Sequence, residues 1–274
     1  MQEYIYETNC GPIHYWIHRH SDPDRPVLVF LPGLTTDHRL FDKQVEFFKE
    51  QYTVFVWDAP GHAASWPFHM EFGLADKAVW LHDILTKEEL TDPVIIGQSM
   101  GGYVGQAFAE CFPDMLRGYV SIDSAPLQRK FVCAPVLWTL DQMEQVFRFC
   151  PWSSLVRQGT YGLSETPYGR KLVKDMMQVY DGQHSRYAAV AGHGFHIVAE
   201  AYRADRSYDL RCPALLLCGS KDRAGFTTGY NRVWHCQSGI PIEWIPNAGH
   251  NANTDAPELV NKLIGDFLAA QVLQ

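Results

Sequence analysis

A serine hydroxyl is a weak nucleophile until a base takes its proton and a carboxylate holds that base in place, so serines in unusual settings come first. Gly97-Gln98-Ser99-Met100-Gly101-Gly102 is such a setting. It follows the apolar run Pro93-Val94-Ile95-Ile96 directly and opens a helical pattern rich in small residues, Gly105, Ala107 and Ala109 among them. Gly-x-Ser-x-Gly between a strand and a helix thrusts the serine out on a tight, strained turn, and the flanking glycines remove side chains that would strike the neighbouring strand and helix. The bland alternative is a small residue buried in a turn. It loses ground once matching His and Asp segments are found.

Twelve histidines compete to be the base. His250 is the best placed, because Pro246-Asn247-Ala248-Gly249-His250 follows the strand-like Pro241-Ile242-Glu243-Trp244-Ile245, and loops at the carboxyl ends of parallel strands form the active edge of such sheets. The strand Ala214-Leu215-Leu216-Leu217 ends in Cys218-Gly219-Ser220-Lys221-Asp222, which brings Asp222 to the same edge. Asp123, in Ser121-Ile122-Asp123-Ser124, is the rival acid. His193, His196 and Glu200 match no zinc-enzyme spacing, so a structural or pocket-lining role is expected of them. His14, His18 and His20 share strand parity and should face solvent; His62 should stabilise a turn, and Trp66, Phe68 and Met70 should pack.

The elements that must position these groups alternate in type. Val27 to Leu31, Thr53 to Trp57, Pro93 to Ile96, Tyr119 to Ile122 and Ala214 to Leu217 are short, near-continuous apolar runs, as in strands covered on both faces. Helical patterns lie between them (Leu40, Phe41, Val45, Phe48; then Leu74, Ala78, Val79, Leu85), and a last one runs through Leu259, Val260, Leu263, Ile264, Phe267 and Leu268. Asp255 and Glu258 read as a capping box for that last helix, with Pro257 in its first turn. Ile5, Ile13, Tyr15 and Ile17 around Cys10-Gly11-Pro12 read as an antiparallel hairpin at the sheet edge. The expected fold class is α/β, a mostly parallel central sheet with helices on both faces. From Pro126 to Asp205 the alternation stops and aromatics gather, which reads as an inserted helical cap (126–205) in a core formed by 1–125 and 206–274.

Composition narrows the partners. With 274 residues, 46% hydrophobic and 20% charged, and 23 Lys+Arg against 31 Asp+Glu for a net charge of −8, the chain is an acidic globular protein. It carries no basic cluster for a phosphate backbone, so nucleic acid is not an expected partner. No apolar run approaches the roughly 20 residues that cross a bilayer, and the start lacks a leader pattern. Seven scattered cysteines without a Cys-x-x-Cys pair read as reduced, mostly buried thiols, hence a cytoplasmic setting.

Taken together, Leu31-Pro32-Gly33-Leu34, Asp58-Ala59-Pro60-Gly61-His62-Ala63-Ala64-Ser65, the serine elbow, Gly219-Ser220-Lys221-Asp222 and Ala248-Gly249-His250 make the chain resemble the α/β-hydrolase superfamily, in its capped branch of small esterases, lactonases and carbon-carbon bond hydrolases. The resemblance implies Ser99 as nucleophile, His250 as general base and acid, and Asp222 as the carboxylate. It further implies an oxyanion hole from the backbone N–H groups of Leu34 and Met100, and neither metal nor cofactor. Two departures from many relatives are Pro32 in place of His and Ala63 in place of Gly. The expected activity is hydrolysis of a small, partly apolar carboxylic ester through an acyl-enzyme. Cleavage of a lactone or a carbon-carbon bond, with Arg129, Arg148, Arg157, Arg186 or Arg203 holding a carboxylate, is the alternative, and a slow-hydrolysing receptor or a cofactor-free oxygenase is a third. The partner expected is a small-molecule substrate, and a homodimer is compatible with these features.

Overall fold

In the computed structural model, residues 1–23 and 25–273 are described. Eight strands form one sheet: β1 (Gln2–Glu7), β2 (Pro12–His18), β3 (Val27–Leu31), β4 (Thr53–Trp57), β5 (Val94–Gln98), β6 (Gly118–Ile122), β7 (Ala214–Gly219) and β8 (Ile242–Ile245), in the order β1-β2-β4-β3-β5-β6-β7-β8. β1 and β2 form the antiparallel hairpin expected at the edge, β2 joins β4 antiparallel, and β3 to β8 run parallel.

The parallel strands are buried on both faces, which explains their unbroken apolar runs. Val29, Leu31, Phe55, Trp57 and Ile95 join a core with α2 (Leu74–Lys87), α3 (Met100–Cys111) and α9 (Thr227–Ser238). Leu28, Phe30, Val54, Val56, Val94 and Ile96 point the other way, against α1 (Asp42–Phe48) and α11 (Pro257–Phe267). The period of two divides the same strands between two helical layers.

Between β6 and β7 the chain is helical, as expected from its lost alternation: α4 (Ala134–Asp141), α5 (Met143–Phe149), α6 (Trp152–Leu163), α7 (Pro167–Met177) and α8 (His184–Arg203). α8 is the long one. Val190 and Ala191 in its first half join one core and Ile197, Val198 and Tyr202 near its end join the other, so this helix packs into both layers of the fold.

Three expectations need correction. Asp255 does not cap α11: it closes a separate short helix, α10 (Ala252–Asp255), and α11 begins after Ala256 with no side-chain cap, Pro257 at its first position. The thiols are all free, but only Cys218 is fully buried, while Cys133 and Cys236 are exposed, because most of them lie in helices and loops at the periphery. His14, His18 and His20 are half-buried, and His14 Nδ1 lies 2.8 Å from Glu3 on the neighbouring strand.

The glycines of the serine turn are required by contact. A Cβ on Gly101 would lie 1.8 Å from the Leu31 carbonyl oxygen, and one on Gly97 would lie 2.4 Å from the Gly101 backbone. Neither obstacle is a flexible side chain. Gly101→Ala is therefore expected to destabilise the fold by about 3 kcal/mol, the upper range of overpacking costs, read as a lowered urea midpoint against wild type.

Candidate active site

β5 delivers Ser99 to the carboxyl edge of the sheet, where it adopts φ 49° and ψ −114°, a left-handed conformation that costs a non-glycine residue on the order of 1–3 kcal/mol. The surroundings hold it there. Its N–H donates to the Ile122 carbonyl at 2.9 Å, and its own carbonyl accepts from the Ser124 hydroxyl at 2.8 Å and from the Gly102 N–H at 2.9 Å.

His250 and Asp222 arrive from the loops after β8 and β7. His250 Nε2 lies 2.9 Å from Ser99 Oγ, and His250 Nδ1 lies 2.9 Å from Asp222 Oδ2. A carboxylate only accepts, so Nδ1 carries the ring proton and Nε2 is left to accept from the serine hydroxyl. Asp222 uses its other oxygen to accept from the Ala224 N–H at 2.8 Å, which fixes its rotation. Burial pushes the His250 pKa down, but the charge of Asp222, its hydrogen bond and the charge of Asp123 outweigh it and set the imidazole above its ordinary 6.5.

Asp123 has a different task. Its Oδ1 accepts from the Gly219 N–H at 2.6 Å and its Oδ2 from the Ala252 N–H at 3.0 Å, so it ties the β7 loop to the segment after His250, and among the described residues no hydrogen bond joins it to the imidazole. Burial and the neighbouring Asp222 charge raise its pKa well above the ordinary carboxyl value. Asp222, not Asp123, is the acid that reaches the histidine. Asp123, Cys218 and Asp222 lie close enough to be weighed as metal ligands, but burial pushes the Cys218 thiol far up and opposes the thiolate that would ligate.

The Leu34 and Met100 backbone N–H groups donate to no acceptor among the described residues. Leu34 follows β3 and Met100 opens α3, so both lie at the same edge as Ser99.

Several residues that hold this arrangement gave no sign in the sequence. Gln98, the variable position before Ser99, donates through Nε2 to the His250 carbonyl at 2.8 Å and to Asn251 Oδ1 at 3.1 Å. Asp255 accepts four hydrogen bonds, from the N–H groups of Gly249, Glu165 and Thr166 and from the Thr166 hydroxyl, at 2.9–3.0 Å. It thereby joins the histidine loop to the start of α7.

His193, His196 and Glu200 do not converge on one point: His193 packs against Phe72, His196 pairs with Asp141, and Glu200 pairs with Arg203. Of the five arginines, Arg129 donates to the Val132 carbonyl, Arg148 and Arg203 are in ion pairs, and Arg157 is exposed. Arg186, like Arg129, is half-buried without a carboxylate; it lies over the rings of Trp66 and Tyr180 and donates to the Ala63 carbonyl.

An eight-stranded, mostly parallel sheet whose carboxyl edge unites a serine elbow, an acid after β7 and a histidine after β8 defines an α/β-hydrolase fold. The alpha/beta hydrolase family model matches residues 28–263, and the chain belongs to that family. It is 30% identical over 251 residues to 3-oxoadipate enol-lactonase 2 of Acinetobacter baylyi, covering 88% of each chain. It is also 23% identical over 268 residues to (E)-2-((N-methylformamido)methylene)succinate hydrolase of the same organism, covering 95% of each. Among solved structures, the enol-lactonase of Burkholderia xenovorans superposes with a TM-score of 0.76 at 19% identity, covering 97% of this chain and 99% of that one. These relatives are hydrolases. No helix among the described residues is long and apolar enough to cross a membrane.

The Asp255 carboxylate generates a stability prediction, since charge-assisted hydrogen bonds contribute about 1.5–3 kcal/mol each when buried donors would otherwise be left open. Asp255→Ala should lower unfolding free energy by about 3 kcal/mol in urea, against about 1 kcal/mol for half-buried Asp175→Ala, which loses an ion pair to Lys171 within α7.

Proposed function

We propose that the protein is a serine hydrolase in which Ser99 is the nucleophile, His250 the general base and acid, and Asp222 the carboxylate that holds the imidazole. The observation that carries this reading is the continuous Asp222–His250–Ser99 hydrogen-bond chain, both links 2.9 Å. As Ser99 Oγ bonds to the substrate carbonyl carbon, its proton passes to His250 Nε2, and Asp222 stabilises the imidazolium. The carbonyl oxygen becomes an oxyanion, and the open N–H groups of Leu34 and Met100 are its donors. His250 then protonates the departing alcohol, leaving an acyl group on Ser99. Water, deprotonated by the same nitrogen, releases the acid and restores the serine.

The helical segment 126–205 serves as a cap over the core formed by 1–125 and 206–274, and some of its aromatic residues give the substrate pocket apolar walls. A small, partly apolar carboxylic ester suits such a site. A lactone is the second reading, favoured by the 30% identity to an enol-lactonase over 88% of the chain. It requires the same bond-breaking step, with the leaving oxygen staying attached to the acyl group.

Short p-nitrophenyl esters and a serine-directed phosphonate test the assignment. Wild type should turn over the ester and carry the adduct on Ser99, whereas Ser99→Ala should lose at least about a thousandfold in kcat and take up no adduct. Asp222→Asn should lower kcat by about 10³–10⁴-fold. The pH dependence follows from His250: only the neutral ring accepts the serine proton, and its pKa lies above 6.5, so kcat/KM should rise with pH through a midpoint above 6.5. A rate independent of pH from 5 to 9, or an unlabelled Ser99, would refute the scheme.

A further inference from the structure

Where α8 crosses the loop after β4 lies a set of nitrogen-bearing side chains that the chemistry at Ser99 leaves unused. Lys77, in the first turns of α2, is only 1% exposed; its backbone N–H donates to the Gly73 carbonyl, but its ammonium makes no hydrogen bond or ion pair among the described residues. Its Nζ lies 5.5 Å from the centre of the Phe72 ring. Burial pushes the amine down to about 8, and no carboxylate opposes that shift. An ammonium without a counter-ion is among the most unfavourable groups to bury.

Two imidazoles share these surroundings. His62, 2% exposed, donates from Nδ1 to the Pro60 carbonyl at 3.1 Å, so its Nε2 is a bare lone pair, and it has no partner among the described residues. His193 of α8 packs edge-on against the same Phe72, ring centres 4.4 Å apart, and its buried Nε2 is likewise without a partner. Burial, followed by the charge of Lys77, pushes both rings down to about 3. Arg186 adds positive charge toward His62, and His196 toward His193. The acids on the facing helices are occupied: Asp141 and Glu144 line a crevice of about 230 Å³ beside His193, but Arg203 and His196 hold the first and Arg148 the second.

The group that satisfies one ammonium and an unprotonated imidazole together is a carboxyl group. One oxygen accepts from Lys77, and the other meets an imidazole Nε2 that has taken up one proton. His62 and Ser99 belong to the loops after β4 and β5, at the same carboxyl edge of the sheet. β3 separates β4 from β5, so two strand spacings, about 10 Å, divide the two loops. Leu34, in the loop after the intervening β3, has α8 pressed on it: a Cβ on Gly194, next to His193, would lie 2.4 Å from Leu34 Cδ1.

We propose that Lys77, His62 and His193 form a subsite for a carboxyl group at the far end of the acyl chain, making half-esters of aliphatic dicarboxylic acids the substrate class. This rests on Ser99 being the nucleophile. Binding takes up one proton from solution, so affinity falls as pH rises, by up to tenfold per unit.

The test compares the mono-p-nitrophenyl ester of adipic acid with p-nitrophenyl hexanoate, equal in chain length, in wild type and Lys77→Met, together with melting-temperature shifts caused by adipate at pH 6 and pH 8. Wild type should prefer the adipate ester, and Lys77→Met should lower the ratio of the two kcat/KM values at least tenfold, mainly through KM. A ratio cancels any general damage to the fold. Adipate should raise the melting temperature of wild type more at pH 6 than at pH 8, and should have no effect on Lys77→Met. An unchanged ratio with Ser99 still labelled by phosphonate would overturn the subsite and leave the hydrolase reading intact. Adipate stabilisation that depends on Lys77, without turnover of either ester, would uphold the subsite and overturn the hydrolase reading. No stabilisation by adipate would mean that water alone fills the cluster, and equal stabilisation at both pH values would mean a ligand bound without proton uptake; either result overturns the proposal.

Discussion

A 2.9 Å contact between Ser99 Oγ and His250 Nε2, residues 151 positions apart in the chain, sets the terms for much of the structure. A hydrogen bond weakens steeply with misalignment, so both side chains must be held to a fraction of an ångström by backbone that is itself fixed. Neither loop is rigid on its own account. Ser99 occupies a disfavoured left-handed conformation, and His250 lies in a loop whose immobility depends on what it touches.

The immobility comes from buried polar groups that each span two segments. Gln98 grips the carbonyl of His250 and the amide of Asn251 from the residue next to Ser99, so the serine and histidine segments are fastened side by side. Asp123 does the same between Gly219 and Ala252, which bracket the Asp222 and His250 positions in the chain. Asp255 then anchors Gly249 to Glu165 and Thr166. In a low-dielectric interior such groups are strong when fully paired and costly when they are not, so each acts as a selective clamp for one arrangement of its neighbours.

This division explains what could be read from the sequence. The strands were legible because burial on both faces imposes an apolar run, and the serine turn because the Leu31 backbone packs so closely on Gly101 that a Cβ there would lie 1.8 Å from its carbonyl oxygen. The helices between β6 and β7 lie where the alternation of strand and helix patterns stops in the sequence. Asp255 was misread because its spacing to Glu258 satisfies the local capping pattern, while its actual partners, Glu165 and Thr166, lie some 90 residues away and leave no local trace. Gln98 and Lys77 were invisible for the same reason. A variable position inside a motif and a lysine in an amphipathic helix both look solvated until tertiary structure closes over them.

The insert between β6 and β7 is also mechanically joined to the site, and the joint lies at a particular residue pair. Gly194 of α8 presses so closely on Leu34 that a single added carbon would meet the leucine side chain, and Arg186 on the same helix is bonded to Ala63 in the loop after β4. At the insert's other end, Thr166 at the start of α7 is held by Asp255, six residues from Gly249 in the histidine loop. The helical segment therefore bears on the loop that follows β3 and is tied to the loop that carries His250. Because packed interiors transmit displacement instead of absorbing it, the insert is not free to tilt without moving one of the two. Changes in the insert should be felt first as changes in the spacing of backbone donors around Ser99, and only second as changes in the shape of the space above it.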